Sequence, residues 1–99
     1  MQINLSKLAS EDLIDIWLYG NEEWGASSAD LYLDELDAAM RSLCSNSARY
    51  PEYSESKPSF RLMPFRSHLI AYEIAENEIL ILRVLHKNMD TSAKIYTND

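Results

Sequence analysis

The sequence predicts an α+β fold: a short N-terminal strand, an antiparallel helical hairpin, and a small twisted, mainly antiparallel sheet that carries the hairpin on one face. Three observations lead to it. Apolar residues recur at helical spacing in two stretches that flank Gly25. From Phe60 to His86 the pattern changes to short apolar and β-branched runs broken by turn residues. Ninety-nine residues give room for one core and no second domain, so 1–99 is read as a single unit.

The elements follow in order. Gln2 to Leu5 alternates polar and apolar and stops at Ser6, a residue suited to cap the helix that follows. Leu8, Leu13, Ile16, Trp17 and Trp24 then form a helical stripe reaching about Glu23, with Glu11, Asp12, Asp15, Glu22 and Glu23 mostly off it. Trp17, Trp24 and Tyr32 are read as core aromatics, whereas Tyr19 lies off the stripe and is read as an exposed interface anchor. Gly25 is the expected terminator, and Ser27 or Ser28 the expected cap of a second helix with Asp30 in its first turn. That helix presents Tyr32, Leu36, Ala39 or Met40, and Leu43 to the sheet. About three joining residues make the two helices an antiparallel hairpin.

Residues 46–59 hold prolines, serines and asparagines and read as an irregular, mobile connector. Phe60 to Phe65 and Ser67 to Ile74 are expected strands, with Pro64 marking an edge or a turn. Glu76-Asn77 makes a tight turn into Ile79 to His86, the most apolar strand, expected inside the sheet and covered on both faces. On an alternating strand Arg83 and His86 would point to opposite faces, which argues against their acting as an acid and base pair. Two roles are open for Arg83: a cationic patch with Arg61 and Arg66, or a cross-strand pair with Glu73. His86 and Asp90 are read as holding the turn that ends the sheet, and His68 as a packed histidine.

Composition narrows the function. With 46% hydrophobic and 25% charged residues the chain belongs with ordered soluble proteins. It has neither a spanning apolar run nor a leader-like start, so a cytoplasmic location is expected. Cys44 stands alone and His68 and His86 lack ligand spacing, so no disulfide, metal or cofactor is expected, and Cys44 is read as a buried thiol. The net charge of −7 lies in the first half: residues 1–48 carry nine acidic side chains against Lys7 and Arg41. An acidic helical half disfavours nucleic acid, because phosphate binding draws on clustered cations.

Three segments carry a family likeness. They are Asp12-Leu13-x-x-Ile16-Trp17 leading to Trp24-Gly25, Phe60-Arg61 leading to His68-Leu69-Ile70-x-Tyr72, and Arg83-Val84-Leu85-His86 leading to Met89-Asp90. In that order and spacing, over nearly the whole chain, they resemble the ParE toxins, a branch of the RelE and ParE superfamily. The resemblance implies a toxin that inhibits DNA gyrase by binding and is neutralised by a ParD-like antitoxin whose tail folds on it. It also implies an antitoxin groove lined from Leu13, Trp17, Leu36 and Met40, with Arg61 and Arg83 receiving acidic tail residues. Arg66, His86, Lys87 and Met89 are the candidates for the target. The acidic helices imply an antitoxin richer in lysine and arginine than is common for the family.

One alternative is a ribosome-dependent messenger RNA endonuclease of the RelE kind, and another is an antitoxin-binding module without toxicity. The nuclease needs a base, an acid and cations around a phosphate. Here Leu69 stands where RelE relatives carry a strand arginine, and Asn88-Met89-Asp90 replaces a basic exit. Tyr96 aligns with the terminal tyrosine of the nucleases, but a phenol without a set of cations around it cannot hold a phosphate transition state. Ser59 and Phe65-Arg66 replace family glycines, which predicts a wider hairpin turn.

Overall fold

Ser6 ends the first strand and starts the first helix. Its side-chain oxygen accepts the Ala9 amide at 3.0 Å, and its hydroxyl donates to the Leu82 carbonyl at 2.7 Å. The cap therefore also fastens the helix start to the last strand. The computed structural model describes residues 1–53 and 59–88. Along them run β1 (Gln2–Leu5), α1 (Lys7–Trp24), α2 (Ala26–Ser42), β2 (Glu52–Tyr53), β3 (Phe60–Phe65), β4 (His68–Ala75) and β5 (Glu78–His86).

Gly25 alone joins the helices. At φ 98° it occupies backbone space that side chains disfavour; its amide donates to the Asn21 carbonyl and its carbonyl accepts the Ala29 amide, both at 3.0 Å. One residue thus closes α1 and opens α2. The expected cap at Ser27 or Ser28 is corrected: both lie inside the first turn of α2, because the Gly25 carbonyl already takes the first bond. Close approach of the helices depends on Gly20, where an added Cβ would sit 3.3 Å from the Ala29 Cβ.

The five strands form one mixed sheet in the order β1-β5-β4-β3-β2. Neighbours β2 to β5 pair antiparallel, while β1 pairs parallel with β5 from Gln2↔Glu78 to Leu5↔Ile81. Strand β2 falls in the stretch read as irregular. Its two residues pair with Arg61 and Phe60, and Tyr53 stacks on Phe60 with centroids 5.3 Å apart, so a neighbour rather than local propensity makes it a strand. Other parts of the connector are anchored too: the Ser47 carbonyl accepts the buried Tyr72 hydroxyl at 2.7 Å, and the Tyr50 carbonyl accepts Arg61. The rest of that expectation, residues 54–58, lies outside the described residues. Pro64 falls in the part of β3 that β2 does not reach, where a missing amide leaves no pairing broken.

The β3–β4 turn is tight, not wide. Phe65 pairs with His68, which leaves only Arg66 and Ser67 between them. Arg66 itself adopts φ 53°, held by Glu35 at 2.9 Å and by packing its guanidinium over the Tyr32 and Phe65 rings. Asn77 takes φ 59° in the next turn, a conformation asparagine tolerates better than most residues.

Both helices cover one face of the sheet. Ala9 from α1 and Leu36, Met40 and Leu43 at the end of α2 pack on Met63, Ile70, Tyr72, Ile79, Ile81 and Val84. Alternation places Phe60, Ala71, Leu82 and Leu85 on the opposite face as a second cluster. Ile81 and Val84 share the helical face although three positions apart, which strict alternation forbids. A register slip resolves this: Tyr72 pairs with Ile81 but Ala71 with Arg83, so Leu82 is an extra residue. Cys44 is half-buried rather than buried, with its thiol 3.5 Å from the Met1 carbonyl.

Because Gly20 sets the helix spacing, Gly20→Leu forces the hairpin apart. Urea unfolding should register a loss of roughly 1–3 kcal/mol, the usual cost of overpacking a tight contact.

Candidate functional site

A cleft of about 660 Å³ opens where α1 passes the ends of β4 and β5. Glu11, Asp15 and Tyr19, spaced by four, form a line along its α1 side, with Trp24 beyond them. Ile16 and Val84 supply apolar wall, while Tyr32 on α2 and His68 and His86 on the sheet form the other side. The cleft thus has an acidic and aromatic rim over a partly apolar interior.

Its floor is fixed by Asp12. One carboxylate oxygen accepts from Arg83 Nε at 2.8 Å and the Val84 amide at 3.0 Å; the other accepts from Arg83 Nη2 at 2.9 Å. The two side chains are only 13% and 7% exposed. The hydrogen bond to Asp12 holds the Arg83 pKa above its usual range, against the effect of burial. This replaces the cross-strand pairing with Glu73 that the sequence left open: Glu73 lies opposite Leu80 in the register, while Arg83 reaches Asp12 on α1. It also corrects the expected separation of Arg83 and His86, which border the same cleft because the extra residue resets alternation.

The histidines face each other across β4 and β5, ring centroids 5.6 Å apart and nearly perpendicular. His68 Nδ1 meets the Tyr32 hydroxyl at 2.6 Å, and His86 Nδ1 accepts the Asn88 amide at 3.2 Å, closing the turn after β5. Burial lowers the His68 pKa below its ordinary 6.5, and the neighbouring His86 lowers it further, with Asp12 opposing.

Several predicted residues sit elsewhere. Leu36 and Met40 are buried beneath the helices and offer a docking segment no surface, and Leu13 packs partly buried on the same core. Trp17 is half-buried between the helices, its indole donating to Asp30 at 2.8 Å. Arg61 turns to the Ala48 and Tyr50 carbonyls. The expected patch of Arg61, Arg66 and Arg83 is therefore not assembled: each is held by different partners. Of the six residues predicted for the groove, Arg83 alone borders the cleft. Lys87 is exposed beyond His86, while Met89, Asp90 and Tyr96 lie outside the described residues.

Trp24 is 67% exposed, not core: it ends α1, and Gly25 turns the chain away directly after it. Tyr19 is exposed as its place off the stripe implies, at 60%, and the two rings meet edge to face at 5.8 Å. Reading the sequence missed Asp12 as a structural acid. The available signal was a carboxylate directly beside the half-buried Leu13, together with an arginine embedded in the most apolar strand.

Comparison with known proteins decides the family. The family described as ParE toxin of type II toxin-antitoxin system, parDE, matches residues 3–91. This chain belongs to the ParE toxin family. Toxin ParE1 of Caulobacter vibrioides is 30% identical over 91 residues, covering 92% of this chain and 94% of that one. Toxin ParE1 of Mycobacterium tuberculosis is 32% identical over 92 residues, with the same two coverages. A solved chain titled as the chromosomal ParDE system of P. aeruginosa superimposes with a TM-score of 0.74, covering 87% of this chain and 95% of that chain; at 20% identity it supports the fold alone. The ParE assignment and the α+β architecture read from the sequence agree with these matches, and membership makes the chain the toxin component of a type II pair, implying an antitoxin partner. Among the described residues, no helix is long and apolar enough to cross a membrane.

Two measurements check the site's physics. Asp12→Ala removes the acceptor of three bonds from a buried pair and should cost roughly 3–5 kcal/mol in urea unfolding, with Asp12→Asn losing less. For His68, a folded pKa below the unfolded one means its contribution to stability is fully present above 6.5 and is lost as pH falls through the lower folded value. His68→Phe should flatten that acid-side decline when unfolding is followed from roughly pH 8 to pH 5.

Proposed function

We propose that this ParE-family chain poisons DNA gyrase by binding it and is silenced by a ParD-like antitoxin that occupies the cleft beside α1. The observation that carries this reading is the rim of that cleft: Glu11, Asp15, Tyr19 and Trp24 present carboxylates and aromatic rings, a surface made for polypeptide. Phosphate would be repelled there. Arg83, the arginine at the cleft among the described residues, is engaged with Asp12, and Arg66 with Glu35. A nuclease needs cations turned toward a scissile phosphate, so the non-enzymatic reading is favoured.

In this arrangement the antitoxin meets Arg83 and His86 at the far wall, with Trp17 and Leu13 supporting α1 from the other side. Leu36 and Met40 act beneath, by fixing the helices. Arg66 and Lys87, both exposed and flanking Ser67 and His86 at the end of the sheet, remain the candidates for the target.

Expression without antitoxin separates the possibilities. Gyrase poisoning gives filamentous cells and a DNA-damage response, and co-expression of the antitoxin restores growth. Arrested translation with cut transcripts would establish the nuclease reading instead, and normal growth would leave a binding module.

A further inference from the structure

We infer that the corner formed by Tyr19 and Trp24 receives a lysine or arginine side chain of the partner, with Glu11 and Asp15 holding its charge while aliphatic neighbours of that side chain enter the cleft. The inference deepens the antitoxin reading and rests on it for the identity of the partner.

Four observations converge. Tyr19 and Trp24 are more than half exposed yet fixed against each other at 83°, so two ring surfaces border one space. A cation gains most from such rings when it also leaves bulk water, and both residues border the cleft. Asp15 lies about one turn and Glu11 about two turns before Tyr19 on the same helical line, so Asp15 is the nearer counter-charge and Glu11 extends the field. Within residues 1–48, nine carboxylates face two cations, so the surrounding field draws positive charge toward this side of the protein. The chain's own cations do not compete: among the described residues, its cation–ring contacts are Arg49 on Tyr50 and Arg66 on Tyr32 and Phe65. Asp12 is excluded from the role by its bonds to Arg83 and Val84.

The interior decides what surrounds the cation. Ile16 and Val84 suit aliphatic side chains, so the matching segment is amphipathic, with its basic residue next to an apolar face. A uniformly basic segment would leave these walls uncovered. A uniformly apolar one would leave the carboxylates desolvated and unpaired.

The test uses the full chain and two probes. The first is a helical peptide of leucine and alanine with one central arginine, compared with its citrulline twin, which keeps the shape and loses the charge. Amide and indole shifts of Tyr19 and Trp24 should move with the arginine peptide, and the citrulline twin should bind roughly tenfold more weakly. Asp15→Asn combined with Glu11→Gln should lose a similar factor and most of the salt dependence, and Tyr19→Leu with Trp24→Leu should weaken binding with the salt dependence retained. All four positions sit on the rim, and circular dichroism confirms that the variants stay folded. Equal binding of the two peptides, or shifts that avoid Tyr19 and Trp24, would overturn the inference. The second probe is the protein encoded directly upstream of the toxin gene, titrated against wild type and the same variants. Tight binding that the variants leave unchanged also overturns it. If that protein fails to bind wild type, the antitoxin reading falls, and the peptide result decides the cation site by itself.

Discussion

The carboxylate of Asp12 is the interaction on which the rest depends. It joins the middle of the sheet to the first helix by accepting from both a side chain and a backbone amide of adjacent residues. Burying an ion pair is costly, and an apolar replacement could stabilise the fold as well. A pair with several directed bonds contributes geometry as well as energy, because it admits one rotation and one height of α1 over β5. That height sets the cleft. Ile16 and Tyr19 border the same cleft as Val84 because Asp12, less than two turns earlier, is pinned to Arg83 and Val84.

Much of the scaffold was legible because it rests on local rules. Ser6 ends a strand and caps a helix in the structure as its side chain and position imply. The two stripes and the three late strands arise where periodicity puts them, to within a residue or two. Tyr19 also stood out correctly, since an aromatic among acids on the wrong side of a stripe has no core to enter. Family likeness added the order of the elements and the toxin assignment, both of which the matches support.

Other parts were hidden for physical reasons. In β5 apolar residues occupy both faces on either side of the slip, Ile81 and Val84 on one and Leu80, Leu82 and Leu85 on the other, so the apolar pattern does not show where alternation breaks. Strand β2 exists only because β3 lies beside it. Trp24 has the spacing of a core residue but the address of a helix end. Leu36 and Met40 differ in another way: the stripe was legible as apolar, but periodicity does not say whether such a face meets a partner or the chain's own sheet, and here it meets the sheet.

The parallel pairing of β1 with β5 has a consequence for how the protein comes into being. Gln2 finds its partner at Glu78, so the first strand emerges from synthesis with no neighbour and stays unpaired while most of the chain is made. At about 5–20 residues per second that interval lasts roughly 4–15 s. The Ser6 hydroxyl and the Asp12 carboxylate wait as long for Leu82 and Arg83. A growing chain of this kind cannot acquire its finished shape piecemeal, and a truncated product ending before β5 lacks both the floor of its cleft and the anchor of its first helix.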